Sequence, residues 1–147
     1  MNDRSQRIGV LVVDVSHEFL SAAGSWIAAQ PELTLVGTAR DGRSAVDAVE
    51  RLAPDLVIID AFMPVMDGFA ATRLLKTRKA APWVVMVSVH EGQAIEHEAW
   101  AAGADAFVVK SNLATQMPSV IESLRDGSVP PRTRSAPKVD PTTRTCP

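Results

Sequence analysis

The sequence predicts an α/β fold: a doubly wound, five-stranded parallel sheet with five helices over residues 1–125, then a tail at 126–147. Three observations predict it. Five short apolar runs recur along the chain, each followed by a segment with apolar residues at helical spacing. The runs are continuously apolar rather than alternating, as in strands covered by helices on both faces. The chain has 147 residues, 46% apolar and 22% charged, which suffices for one core without covalent staples.

The elements follow in order. Ile8–Val13 is a β-branched apolar run, closed by Asp14. Over 17–29, Phe19, Ala22, Ala23, Trp26 and Ile27 share one helical face, and Pro31 follows. Leu33–Ala39 reads as a strand and Asp41-Gly42 as a turn. A helix over 44–52 ends before Pro54, and 55–60 is a strand with the core Leu56, Val57, Ile58, Ile59. Asp67 is positioned to cap a helix over 68–76. A strand over 83–89 precedes a helix at Gln93–Ala102, which Gly103 closes. Ala106–Val109 is the last strand and 113–124 the last helix.

Charge and cysteine content narrow the functional classes. Residues 1–125 carry 11 Lys and Arg against 15 Asp and Glu, a mildly acidic balance that argues against a nucleic-acid-binding surface. The 126–147 segment holds half of the ten prolines and few apolar residues, a composition that builds no core and reads as a disordered tail or linker. The single Cys146 suits a reducing compartment. No apolar run is long enough to span a membrane, and the amino terminus lacks a secretory pattern. A cytoplasmic protein without membrane or nucleic-acid contacts is expected.

In a doubly wound sheet the chemistry sits beyond the carboxyl ends of the strands. Those ends carry Asp14, Asp60, Ser88 and Lys110. Two carboxylates, a hydroxyl and an ammonium would therefore converge at one sheet edge. Clustered carboxylates call for a cation, and hard oxygen ligands suit Mg²⁺. A carboxylate can attack phosphorus to give an aspartyl-phosphate, while a divalent ion and Lys neutralise the phosphoryl oxygens.

These residues stand in segments that resemble a response regulator receiver domain: Val12-Val13-Asp14, the 55–60 run ending in Asp60, Met63-Pro64-Val65-Met66-Asp67-Gly68, Val87-Ser88, and the 103–110 stretch ending in Phe107-Val108-Val109-Lys110. The resemblance covers residues 8 to about 125. It implies a flavodoxin-like sheet of order 2-1-3-4-5. It implies Asp60 as phosphoacceptor and Asp14, Asp60 and the Phe62 backbone carbonyl as Mg²⁺ ligands. It further implies Ser88 and Lys110 as phosphoryl-binding groups and Phe107 as the aromatic switch. The implied partners are a sensor histidine kinase or phosphotransfer protein, and an output partner or second copy on the face of the fourth helix, fifth strand and fifth helix.

The sequence departs from the family pattern in places. Val15 stands where the family usually has a second metal-binding acid, so weakened Mg²⁺ binding is expected. Phe107 lacks the phenol of the commoner Tyr, and Val89 is bulkier than the usual residue there. Ser111 replaces a frequent Pro, so a trans bond after Lys110 is expected. Phe62 is expected to slow attack of water on a phosphorylated Asp60.

Other features carry less. His17, His90 and His97 lack metal-ligand spacing and read as surface or loop residues; Trp26, Trp83 and Trp100 read as core or interface. No glycine-rich loop follows the first strand, which disfavours a flavin or dinucleotide enzyme, and Asp14-Val15-Ser16-His17 lacks the spacing of a cobalamin loop. A stand-alone enzyme is not expected. The leading expectation is a phosphorylation switch acting through protein contacts, with the tail suiting a linker to a DNA-binding domain absent here. The alternative is a phosphorylation-independent interaction or dimerisation module, favoured by Val15.

Overall fold

The computed structural model describes residues 7–127. Five strands and five helices alternate: β1 (Ile8–Val13), α1 (His17–Ala28), β2 (Leu33–Ala39), α2 (Gly42–Leu52), β3 (Leu56–Asp60), α3 (Gly68–Leu75), β4 (Trp83–Ser88), α4 (Gln93–Ala102), β5 (Ala106–Val109) and α5 (Leu113–Arg125). One turn of 3₁₀ helix, Lys110–Asn112, joins β5 to α5. The sheet is wholly parallel, in the order β2-β1-β3-β4-β5.

The pleat divides each strand between two cores, because successive side chains point to opposite faces. Leu11, Val13, Val57, Ile59, Val84 and Met86 pack against α2, α3 and α4 through Ala45, Val49, Phe69, Leu75 and Ala99. Val10, Val12, Leu56, Ile58, Val85 and Val87 pack against α1 and α5 through Ile27, Met117 and Ile121. Burial on both faces is what made the central strands continuously apolar. The edge strand β2 is only partly buried and carries a bulge opposite Val10 and Leu11.

Several boundaries differ from the sequence expectation by one or two residues. Those of β1 and β5 do not: the strands stop at Val13 and Val109 as the apolar runs predict, and Asp14 and Lys110 lie just beyond the ladder. The Asp41 side chain accepts from Ser44 N–H at 2.8 Å, so α2 begins at Gly42. Asp55 turns its carboxylate to the Gly9 N–H at 2.8 Å, and β3 begins after it. Asp67 caps α3 through Ala70 N–H at 2.9 Å, as its position predicted. Of the tail assigned to 126–147, all but residues 126 and 127 falls outside the described residues. Among the described residues no helix is long and apolar enough to cross a membrane.

Candidate functional site

Parallel register places the site. Val13 pairs with Ile59, Asp60 with Val87, and Ser88 with Val109. The next residues along β1 and β5 are Asp14 and Lys110, so four adjacent strands deliver Asp14, Asp60, Ser88 and Lys110 to one edge. This is the convergence the sequence predicted. Apolar neighbours bury the cluster: Asp14 and Ser88 are fully buried and Asp60 is 7% exposed.

Lys110 ties the carboxylates together. Its Nζ lies 2.5 Å from Asp14 Oδ2 and 3.4 Å from Asp60 Oδ1. The first contact is an ion pair by proximity, without an aligned hydrogen bond at Oδ2. Asp14 Oδ1 accepts the Ser16 N–H at 2.8 Å, and the Ser16 hydroxyl caps α1 by accepting from Phe19 N–H at 3.2 Å. The Lys110 ammonium also sits 4.7 Å from the centre of the Phe19 ring, within cation–π range. Burial raises the pKa of Asp60 above its ordinary value, the Asp14 charge raises it further, and Lys110 partly offsets both. A carboxylate of raised basicity is the better nucleophile, provided it is ionised.

The remaining candidates are spread around this centre. Ser88 Oγ accepts the His90 N–H at 3.0 Å, which ties the hydroxyl to the loop before α4. Phe107 is partly buried against the α2–α4 side of the core. Phe62 follows Asp60 by two residues; its exposed ring meets Phe69 edge to face, with centroids 5.6 Å apart. Val15 is 43% exposed and Val89 is exposed at the rim. No cis peptide bond occurs among the described residues, so the bond after Lys110 is trans.

Two contacts at the site carry no signal in the sequence. Phe19 lies on the apolar face of α1, as its helical spacing predicts, and it also underlies Lys110. Arg40, at the end of β2, donates from Nη2 to the Val15 carbonyl at 2.6 Å, and its Nη1 stands 2.9 Å from His17 Nε2. Arg40 thereby pins the loop that carries Val15. No motif announces a contact between residues 25 positions apart.

Residues 10–122 match the family model of the response regulator receiver domain. The chain belongs to the response regulator receiver family. The matching relatives include the protein-glutamate methylesterase/protein-glutamine glutaminase of Symbiobacterium thermophilum, 43% identical over 113 residues, which are 75% of this chain and 31% of that protein. The Thermotoga maritima protein of the same name is 37% identical over 142 residues, 90% of this chain and 40% of its own. The chain thus spans well under half the length of these relatives. Among solved structures, the response regulator domain of Thermotoga maritima CheB is 32% identical with a TM-score of 0.71, covering 82% of this chain and 96% of that one. The signal receiver domain of Mycobacterium tuberculosis NarL, 24% identical, shares the fold with a TM-score of 0.77, covering 83% and 98%.

Receivers generally bind Mg²⁺ at their acidic site. In this receiver no group of three or more His, Cys, Asp or Glu gathers around one point among the described residues. The donor set nevertheless fits the ion. Asp14 Oδ2 is buried without a hydrogen bond and Asp60 is beside it, both hard oxygen donors. One or two carboxylates completed by waters is an ordinary complement for Mg²⁺. Val15, next to Asp14 in the chain, adds no ligand atom.

Proposed function

We propose that this receiver is a phosphorylation switch with Asp60 as phosphoacceptor. A sensor histidine kinase or phosphotransfer protein is the donor. The Asp60 carboxylate attacks phosphorus, the P–O bond forms, the donor's P–N bond breaks, and its electron pair leaves on the imidazole nitrogen. Lys110, 3.4 Å from Asp60 Oδ1, is placed to follow the new negative charge, and the Ser88 hydroxyl to donate to a phosphoryl oxygen. Asp14, Asp60 and the Phe62 carbonyl would hold Mg²⁺, which supplies charge neutralisation at the phosphoryl oxygens. Drawing Ser88 toward the phosphoryl group pulls on the loop it shares with His90. Phe107 then repacks, and the face of α4, β5 and α5 changes its affinity for an output partner or a second copy.

The observation that carries this reading is the pairing of a nearly buried carboxylate of raised pKa with a lysine that bridges it to a second carboxylate. The match to the enzyme-named relatives over less than half their length supports a regulatory module acting on other protein surfaces, in its own chain or another. We also propose a cytoplasmic location, and a boundary near residue 125 between the receiver and a linker. A second reading, a phosphorylation-independent interaction module, is supported by Val15 and by the Lys110–Asp14 pair already made in this state. Intact mass after incubation with a small phosphodonor separates the two readings.

A further inference from the structure

We infer that Lys110 is the resident cation of this receiver and competes with a divalent ion for Asp14. The inference rests on reading Asp14 and Asp60 as the metal-binding carboxylates.

The geometry sets up the competition. Lys110 Nζ lies nearer Asp14, at 2.5 Å, than Asp60, at 3.4 Å. The other Asp14 oxygen already accepts the Ser16 N–H. Asp14 Oδ2, which carries no hydrogen bond, is therefore the oxygen that a metal and the lysine would contest. The lysine is held there from a second side, because its ammonium rests over the Phe19 ring. The short segment from Asp14 to Phe19 thus supplies a carboxylate and an aromatic face to the same cation.

Charge decides the balance. With a second acid at position 15, three carboxylates would face one ammonium, leaving a net charge that a divalent ion cancels. With Val15, two carboxylates face one ammonium, and the attraction for a second cation falls. Metal entry and transfer of the ammonium from Asp14 toward Asp60 become one event.

The test is direct titration of Mn²⁺, as a Mg²⁺ surrogate, into the unphosphorylated chain, with free Mn²⁺ read by its paramagnetic resonance signal. Wild type, Lys110→Met, Val15→Asp and Asp14→Asn are compared after melting curves confirm folding. Lys110→Met is expected to bind about tenfold more tightly than wild type, Val15→Asp likewise, and Asp14→Asn to lose binding. Arg40 pins the Val15 backbone, so Val15→Asp adds a ligand without rebuilding the loop. A Lys110→Met affinity equal to or weaker than wild type, beside a tighter Val15→Asp, overturns the competition and leaves the metal reading standing. Absence of binding in every variant, Val15→Asp included, overturns both. A measurement on the wild type alone guards against a misfolded variant: the Lys110 side-chain carbon resonance should move with Mg²⁺, with the midpoint of the binding curve. An unmoved resonance at saturation contradicts the inference.

Discussion

A Cβ on Gly68 would stand 2.1 Å from the carbonyl oxygen of Asp60. The loop between β3 and α3 folds back onto the strand end it left, and Gly68 N–H closes it on the Ala61 carbonyl at 2.9 Å. Only a residue without a side chain permits this approach. Gly68→Ala is therefore expected to destabilise the receiver by about 2 kcal/mol or more in urea unfolding. Gly24→Ala supplies the opposite sign. Its Cβ would meet Leu35 at an ordinary 3.6 Å, and Ala favours the helix by about 0.5–1 kcal/mol.

Asp60 makes stability depend on pH. Its folded-state pKa is raised, by burial first and by Asp14 second, above the ordinary 3.8. The folded state then binds a proton more tightly than the unfolded state. Ionised Asp60 costs stability at neutral pH, and that cost disappears as pH falls through the folded pKa to below 3.8. Without added metal, Asp60→Asn should melt higher than wild type at pH 7, and the gap should close near pH 4. A gap independent of pH contradicts this.

Away from the site, Lys76 and Asp105 clamp α3 to the start of β5. Lys76 Nζ donates to Asp105 Oδ2 at 2.8 Å and to the Pro82 carbonyl at 2.9 Å, and the same Asp105 oxygen accepts Val84 N–H at 2.9 Å. Asp105→Ala leaves a partly buried ammonium and a backbone N–H without that acceptor, at a cost of about 2–3 kcal/mol by chemical denaturation. The reactivity of Asp60 toward a small phosphodonor should be unchanged.

Val65 is strained. It is 82% exposed at φ 70°, a region β-branched residues avoid, while Met66 N–H closes a tight turn on the Pro64 carbonyl at 2.7 Å. Val65→Gly relieves strain of about 1–3 kcal/mol against a smaller entropic loss, so the melting temperature should rise.

Much of this was legible in the sequence, for physical reasons. The central strands are buried on both faces and so read as apolar runs, and their polar ends stand out. Parallel register turns four strand ends into one cluster, which made Asp14, Asp60, Ser88 and Lys110 readable together. The first turn of α2 was hidden because Gly42 is a poor helix former, and only the Asp41 cap and the Met66 carbonyl that accepts its N–H show it. The preference of Lys110 for Asp14, the Phe19 ring beneath it and the Arg40 contact at Val15 were not readable. Each depends on how far a long side chain reaches between distant segments, which no periodicity encodes.

Whether Asp60 accepts a phosphoryl group despite Val15 decides between the switch and the interaction module. Intact mass after incubation with a small phosphodonor tests it most directly, with and without Mg²⁺, beside Asp60→Asn and Val15→Asp. One phosphoryl adduct is expected in the wild type, absent in Asp60→Asn, with a faster Mg²⁺-dependent adduct in Val15→Asp. A wild type without any adduct while Val15→Asp is labelled would contradict the switch and make the interaction module the better reading.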